Sequence, residues 1–386
     1  DRHGAPKNRA DIMLRHLNRV VEIAGKYGYR PMMWSDMFFR LAYGGQYYVR
    51  EKGAIDESVR ELVPKNLRLV YWDYYNTDSS VYEAMIDSHL DFDREVMFAG
   101  GAWMWSGFTP SNRFAMKVTD IALDACKKKG VDKIMLTMWG DDGAECSDQA
   151  LLPTLVFAAE KMYGGNTEAA FKALTDIDLE KFMKIEAAND IIPTENPDHR
   201  NPSKYLLYND CVGGMFDYTV REGDGKTYAE HAKVLKSIER KAGRYSYIFA
   251  TQRALCSVLS AKVELGVKAR AAYKNGDRKA IKTLVKDEYA PLFAALEDFY
   301  ACFREQWEID NKPFGFEVQD YRIGGLIRRV RHCAEKLIAY ADGATDRIPE
   351  FDEAAIESMM TPEEAACRKL DFNRFGRSIG TNIMTW

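Results

Sequence analysis

An α/β fold with a parallel sheet, giving way to an all-helical half, is what the sequence predicts, and three observations predict it. Four short, unbroken apolar runs alternate with helical periodicity in units of roughly 30–40 residues, the length of a βαβ repeat. Each run ends in tryptophan with acids, tyrosine or glycine beside it: PMMWSD at Pro31–Asp36, LRLVYWDYY at Leu67–Tyr75, EVMFAGGAWMW at Glu95–Trp105 and KIMLTMWGDDGAEC at Lys133–Cys146. From Thr175 onward no strand pattern persists. Parallel strands joined by helices make either an open doubly wound sheet or a (β/α)8 TIM barrel. No GxGxxG or GxxxxGK[ST] follows a strand, which lowers the weight of the nucleotide-binding sheets. Chemistry-bearing residues gathered at the C-terminal ends of several strands favour the barrel, of which these four strands would be half.

Taken in order, Asn8–Tyr27 reads as an amphipathic helix with Met13, Leu17, Val20, Val21 and Ala24 on one face, stopped by Gly28. The strand Pro31–Trp34 follows, then a Gly/Tyr loop at Tyr43–Tyr48 and a short helix over Ile55–Val63. Leu67–Trp72 is the second strand and Ser80–Leu90 the helix after it, capped by Ser79 or Ser80. Glu95–Ala99 is the third strand and Asn112–Lys129 its helix, closed by Gly130. Ile134–Met138 is the fourth strand and Asp148–Tyr163 the last helix of this part. The expected division is residues 1–174 for the barrel half and 175–386 for a helical domain. In the latter, Ile191–Gly225 reads as loop. Helical runs cover Thr227–Asn275 with a break near Gly243, Arg278–Trp307 kinked or divided by Pro291, and Glu317–Ala341. The segment Ser378–Trp386 is β-like.

Composition narrows the class. With 46% hydrophobic and 29% charged residues over 386 positions, the chain is ordinary for a globular protein. A net charge of −4 gives no reason to expect nucleic acid or an anionic membrane as partner, and no apolar run reaches the roughly 18 residues of a membrane span. The seven cysteines are scattered, without CxxC or close Cys/His spacing, and read as reduced core thiols of a cytoplasmic protein rather than a disulfide or zinc framework. The start at Asp1, with neither an initiator Met nor a signal-peptide pattern, leaves secretion open.

Five of the seven tryptophans, Trp34, Trp72, Trp103, Trp105 and Trp139, sit at the strand ends. The four ends are expected to wall one pocket. An aromatic box suits a flat apolar face such as a pyranose ring, and each ring buries on the order of 150–250 Å². Asp36, Asp73, Asp141, Asp142 and Glu145 follow the tryptophans, and carboxylates accept hydrogen bonds from paired sugar hydroxyls. Core packing for the rings, and loop capping or solvated surface for the acids, are the bland alternatives. The acids Asp141, Asp142 and Glu145 do not match an EF-hand spacing, so no metal is expected. No Ser/His/Asp arrangement or GxSxG elbow is visible.

PMMWSDMF, LVYWDYY, AGGAWMWSGF and MWGDDGAE, with FGFEVQDYRIGG at Phe314–Gly325, together resemble glycoside hydrolase family 20, the β-N-acetylhexosaminidases, and especially the bacterial branch with a long C-terminal helical domain. The resemblance covers nearly the whole chain. It implies the C-terminal half of a (β/α)8 barrel, strands five to eight, followed by an α-helical domain. It implies retaining hydrolysis in which the sugar's own acetamido oxygen attacks the anomeric carbon, assisted by an Asp-Glu pair at the end of strand four. That pair is expected upstream of Asp1, so the chain has no catalytic acid of its own and is expected to be inactive alone.

The resemblance further implies that Trp34, Trp72 and Trp139 line the acetamido pocket and sugar ring, and that Asp141 meets the outer hydroxyls. Trp103-Met104-Trp105 stands where family members carry a tyrosine on the acetamido carbonyl, and Tyr74 or Tyr75 is the candidate to replace it. The expected substrate-binding set is thus Trp34, Trp72, Asp73, Tyr74, Trp103, Trp105, Trp139 and Asp141, acting on N-acetylhexosamine-terminated glycans without a cofactor or metal. Open strand edges of a half barrel predict self-association, as a homodimer. Two other readings predict different behaviour. A different barrel glycosidase would use the acids listed above as its catalytic groups. A non-catalytic helical scaffold or sugar-binding protein would bind without turnover.

Overall fold

The computed structural model describes residues 9–49, 55–191, 201–353 and 368. By its contacts the chain forms two compact units. The first holds residues 1–102, 115–137 and 157–166, and the second residues 103–114, 138–156 and 167–386. The segment Ser378–Trp386, Cys367, and the side chain of Asp142 lie outside the described residues.

The first unit is α/β. In chain order it runs α1 (Arg9–Lys26), β1 (Met32–Trp34), α2 (Asp36–Ala42), α3 (Glu57–Arg60), β2 (Arg68–Trp72), α4 (Ser79–Leu90) and β3 (Val96–Gly101), then α5 (Asn112–Lys129) and β4 (Ile134–Thr137). All three strand pairings are parallel, and the order is β1-β2-β3-β4. Each strand therefore lies beside its successor in sequence, and these four contain no reversal of order of the kind that creates a ligand crevice in doubly wound sheets. The strands are buried apolar runs, as a sheet covered on both faces requires. Leu69, Tyr71 and Phe98 join Phe38, Phe39, Tyr82, Met85 and Ile86 from the helices in one core.

Three elements depart from the sequence expectation. The third strand extends through Gly100 and Gly101, which pair with Leu136 and Thr137. The helix expected over Ile55–Val63 is a single turn, because Pro64 follows closely and Val63 turns into the core. The helix expected from Asp148 opens as a 3-10 turn over Asp148–Leu151, with the Ser147 side chain accepting from the Gln149 amide, before α6 (Leu152–Tyr163) begins.

The second unit is helical: α7 (Thr167–Thr175), α8 (Leu179–Phe182), α9 (Pro202–Tyr208), α10 (Asp224–Glu239), α11 (Ser246–Lys262), α12 (Leu265–Lys274), α13 (Arg278–Leu284), α14 (Ala290–Asp310), α15 (Phe316–Ala341) and α16 (Pro349–Asp352). Its centre is α11, apolar around most of its circumference and packed against α9, α10 and α14. Two loop segments that follow β3 and β4 belong to this unit. Phe108 sits edge-on to Phe299 and Phe303 of α14. Gln252 of α11 accepts from the Thr109 hydroxyl at 2.7 Å and donates to the Phe108 carbonyl at 2.7 Å.

Before Pro291 the helical run changes type without a gap. A π turn over Val285–Tyr289 delivers the proline to the first turn of α14, where its missing N–H is harmless. The stretch read as loop contains α9. Buried Lys262 donates to the carbonyls of Leu206 and Asn209 at the end of α9, placing a cation where the helix dipole is negative. Among the described residues no helix is long and apolar enough to cross a membrane.

Candidate functional site

In the first unit the end of β2 carries the densest cluster of predicted residues. Tyr47 stacks on Trp72 with ring centroids 4.9 Å apart, and Tyr74 lies 5.3 Å from Trp72 on the chain's next turn. The Tyr47 hydroxyl accepts from the Trp72 amide at 3.3 Å and donates to the Trp72 carbonyl at 3.1 Å. One side chain thus satisfies both backbone groups of the last residue of the strand. Trp72 is half-buried, its ring held flat by this contact.

Asp73 follows at once and is 1% exposed. Its carboxylate accepts from the Tyr71 hydroxyl at 2.9 Å, the Tyr75 amide at 3.0 Å, the Asn76 amide at 3.2 Å and the Asn76 side chain at 2.6 Å. Burial raises its pKa above the ordinary carboxylate range, and those four donors offset part of the rise. The expectation that Asp73 meets sugar hydroxyls is therefore corrected. Its lone pairs face protein donors, and it acts by folding the loop that carries Tyr74 and Tyr75.

β1 ends at Trp34, level with Val70 of β2. Trp34 is half-buried. Asp36 pairs with Arg40 one helical turn on, at 3.3 Å. Between them the structure makes a contact that the sequence conceals. Ser35 Oγ lies 2.6 Å from His89 Nε2, and both residues are 0% exposed. His89 Nδ1 is 2.6 Å from the Met85 carbonyl, which can only accept, so Nδ1 carries the proton and Nε2 accepts from Ser35. The Val70 carbonyl, 2.9 Å from the same hydroxyl, is satisfied by the Ser35 amide at 3.1 Å. Burial depresses the His89 pKa to about 3 against the opposing pull of Met85. This is a neutral, sealed Ser–His contact that ties β1 to α4, with no opening through which a nucleophile could act.

In the second unit the loops after β3 and β4 carry the remaining predicted residues. Trp103 and Trp105 are buried, their ring centroids 4.4 Å apart, with Phe114 edge-on to Trp103 at 5.3 Å. Trp139 and Asp141 are exposed. They stand at the head of a loop whose far end is locked. Glu145 and Lys204 have side chains 1% exposed, and Glu145 Oε2 lies 2.9 Å from Lys204 Nζ. Glu145 Oε1 accepts from Arg322 Nη1 at 3.2 Å. The Glu145 carbonyl accepts from Gln306 at 3.1 Å and the Gly143 carbonyl from Gln319 at 3.1 Å. Gly143 has φ +110°, and a Cβ there would stand 2.7 Å from both Arg322 and Gln319. The positive φ is what favours glycine here, while a Cβ would make the ends of the Arg322 and Gln319 side chains shift.

The acids that follow the tryptophans therefore separate by environment. Asp141 faces solvent, Asp36 holds Arg40, and Asp73 and Glu145 are buried with protein partners. Glu145 is neither a sugar ligand nor a loop cap but the anchor of a buried charge cluster. A cavity of about 290 Å³, lined by Gln149, Arg244, Tyr245, Tyr247, Ile309 and Asp310, holds none of the predicted residues.

Sequence reasoning named Tyr47 only as a rim candidate beside Tyr43 and Tyr48, and missed Lys204, Gln306, Gln319 and Arg322. A signal existed for three of these four. Gln319 and Arg322 are polar at i, i+3 on a helix whose buried stripe continues through Ile323, Leu326 and Val330. Lys204 is a lone charge beside Tyr205-Leu206-Leu207, a second local anomaly.

Residues 180–368 match the family model of the glycoside hydrolase 20C C-terminal domain. No curated protein matches the chain. Among solved structures, the chain is similar to a GH138 enzyme targeting pectin rhamnogalacturonan II, at 11% identity and a TM-score of 0.33 over 84% of this chain and 72% of that one.

Proposed function

We propose, for a chain that belongs to glycoside hydrolase family 20 through its C-terminal helical domain, that its activity is exo-hydrolysis of terminal β-linked N-acetylhexosamine. The single observation carrying this reading is that family match over 180–368. The strand-end motifs agree with it. The four parallel strands, in sequential order, are read as strands five to eight of a (β/α)8 barrel, whose sites are built from the C-terminal ends of strands.

In the second unit, Trp139 and Asp141 are proposed to meet the sugar; in the first unit, Trp34, Trp72 and Tyr74 are proposed as sugar contacts at their own strand ends. Trp139 is 39% exposed and Asp141, two residues on, is exposed; an aromatic ring and a carboxylate are the side-chain types that meet a sugar face and its hydroxyls. Trp72 is held flat by Tyr47, which lowers the ordering needed on binding. Trp103 and Trp105, buried and packed on each other, are proposed to serve as core of the second unit rather than to meet the sugar. Cleavage would be retaining, with the substrate's acetamido oxygen as nucleophile. None of the four strands ends in an adjacent Asp-Glu pair, so the pair that orients the acetamide and moves the proton is proposed to lie outside these strands, and the 386-residue chain by itself to be inactive.

The test is release of nitrophenol from p-nitrophenyl N-acetyl-β-D-glucosaminide and its galacto epimer by the full product of the gene and by residues 1–386 alone. The full product is expected to turn over at least one, the chain alone neither. In the full product, Trp139→Ala is expected to lower kcat/KM by roughly ten- to a hundredfold, the worth of one well-stacked ring. Unchanged kinetics for Trp139→Ala would remove it from the site.

A further inference from the structure

The exposed pair Trp139 and Asp141 rides on a loop whose geometry is dictated by the helices. Lys204 of α9, Gln306 of α14, and Gln319 and Arg322 of α15 all converge on two loop residues, Gly143 and Glu145. The contacts grip both backbone and side chain. Two carbonyls are held by glutamine amides, and the carboxylate is divided between an ammonium on Oε2 and a guanidinium on Oε1. Gly143 lets Gln319 and Arg322 approach the loop without shifting, since a Cβ there would stand 2.7 Å from the end of each side chain. Ala144, next to it, also takes positive φ, at 51°. Two consecutive left-handed residues make a turn that the loop would not hold unaided.

We propose that Arg322, with Gln319, is a positioning residue of the sugar site: through Gly143 and Glu145 it fixes the loop that presents Trp139 and Asp141. The helical domain is then part of the substrate-holding apparatus rather than an appended module. The inference rests on the glycosidase reading for what the loop holds, but not for how it is held. Arg322 can be removed without stranding a buried charge, because Glu145 keeps Lys204 and that pair is itself neutral.

The experiment uses Arg322→Met, Arg322→Lys and Gly143→Ala. Kinetics on the nitrophenyl hexosaminide are read in the full gene product, and amide hydrogen exchange across residues 139–146 is read in the same protein. Arg322→Met is expected to raise KM about tenfold with kcat little changed, as when binding shared by ground and transition states is lost. Exchange in the loop should quicken about tenfold while the α11 amides stay protected. Arg322→Lys should recover part of both effects, and Gly143→Ala should reproduce the exchange effect from the loop side. Unaltered KM together with unaltered loop exchange in Arg322→Met overturns the proposal. If the wild-type product hydrolyses no hexosaminide, the glycosidase reading fails and exchange alone decides: a faster loop in Arg322→Met supports the clamp, an unchanged one overturns it.

Discussion

Glu145 and Lys204, with side chains sealed from solvent, meet at 2.9 Å in the second unit. The approach is ionic, without the alignment of a hydrogen bond. Removing one member of a buried pair leaves the other charge with its desolvation uncompensated, typically about 3–5 kcal/mol. Arg322 still reaches Glu145, so Lys204→Met is expected at the low end, about 3 kcal/mol. Arg322→Met leaves the pair balanced and is expected to cost about 1–2 kcal/mol, the scale of one charged hydrogen bond. Urea unfolding of both variants checks the order. A larger loss in Arg322→Met would mean that Lys204 is not the principal partner.

The two units are expected to respond to pH in opposite directions. In the first, His89 titrates in the unfolded chain near 6.5 and in the folded one at about 3. Its contribution is complete above pH 6.5 and lost as pH falls toward 3, by about 2–3 kcal/mol at pH 4.5. In the second, burial lifts the Glu186 pKa to about 7, outweighing the Arg113 guanidinium 2.9 Å away. Glu186 contributes stability that is complete below its ordinary value of 4.5 and lost as pH rises through about 7. Calorimetry from pH 4.5 to 8 should show His89→Gln flattening the acid limb and Glu186→Gln the alkaline one. Variants that melt with the wild-type pH profile would refute both assignments.

The strands and most helices were legible because each obeys a local rule. Unbroken apolar runs mark strands covered on both faces, and Gly28 and Gly130, both at positive φ, close the helices they were read to close. Pro291 was read as a kink or a division, and the helix answers with a π turn just before it, without a break. The candidate site was legible in type but not in environment. An acidic loop reads as solvent-facing, and nothing local tells Glu145 from Asp141. The difference is made by Arg322, 177 residues away in sequence. Tyr47 is likewise 25 residues from Trp72, in a stretch that reads as a Gly/Tyr loop. Asp73 failed for another reason: its partners Tyr71, Tyr75 and Asn76 are neighbours, but an Asx-type turn and a sugar ligand have the same residue signature.

Tyr47 offers a test of how the wall at β2 is held. Tyr47→Phe keeps the stack on Trp72 and deletes the hydroxyl that serves both Trp72 backbone groups. Two half-buried backbone groups that lose this partner are expected to destabilise the first unit by about 1 kcal/mol. Tyr47→Leu, which also removes the ring, should lower stability further and broaden the Trp72 environment seen in fluorescence. Equal stability for Tyr47→Phe and wild type would show that the hydroxyl contacts contribute nothing.

In the proposed hydrolysis the substrate's own acetamide is the nucleophile. The decisive measurement compares kcat/KM of the full gene product on p-nitrophenyl N-acetyl-β-D-glucosaminide and on the matching β-D-glucoside, which has a hydroxyl in place of the acetamide. The account predicts turnover of the first and a loss of at least roughly a thousandfold on the second, because removing the nucleophile removes the chemical step. Comparable rates on the two would contradict it and direct the search to an enzyme carboxylate as nucleophile, with the solvent-facing Asp141 the first to be replaced.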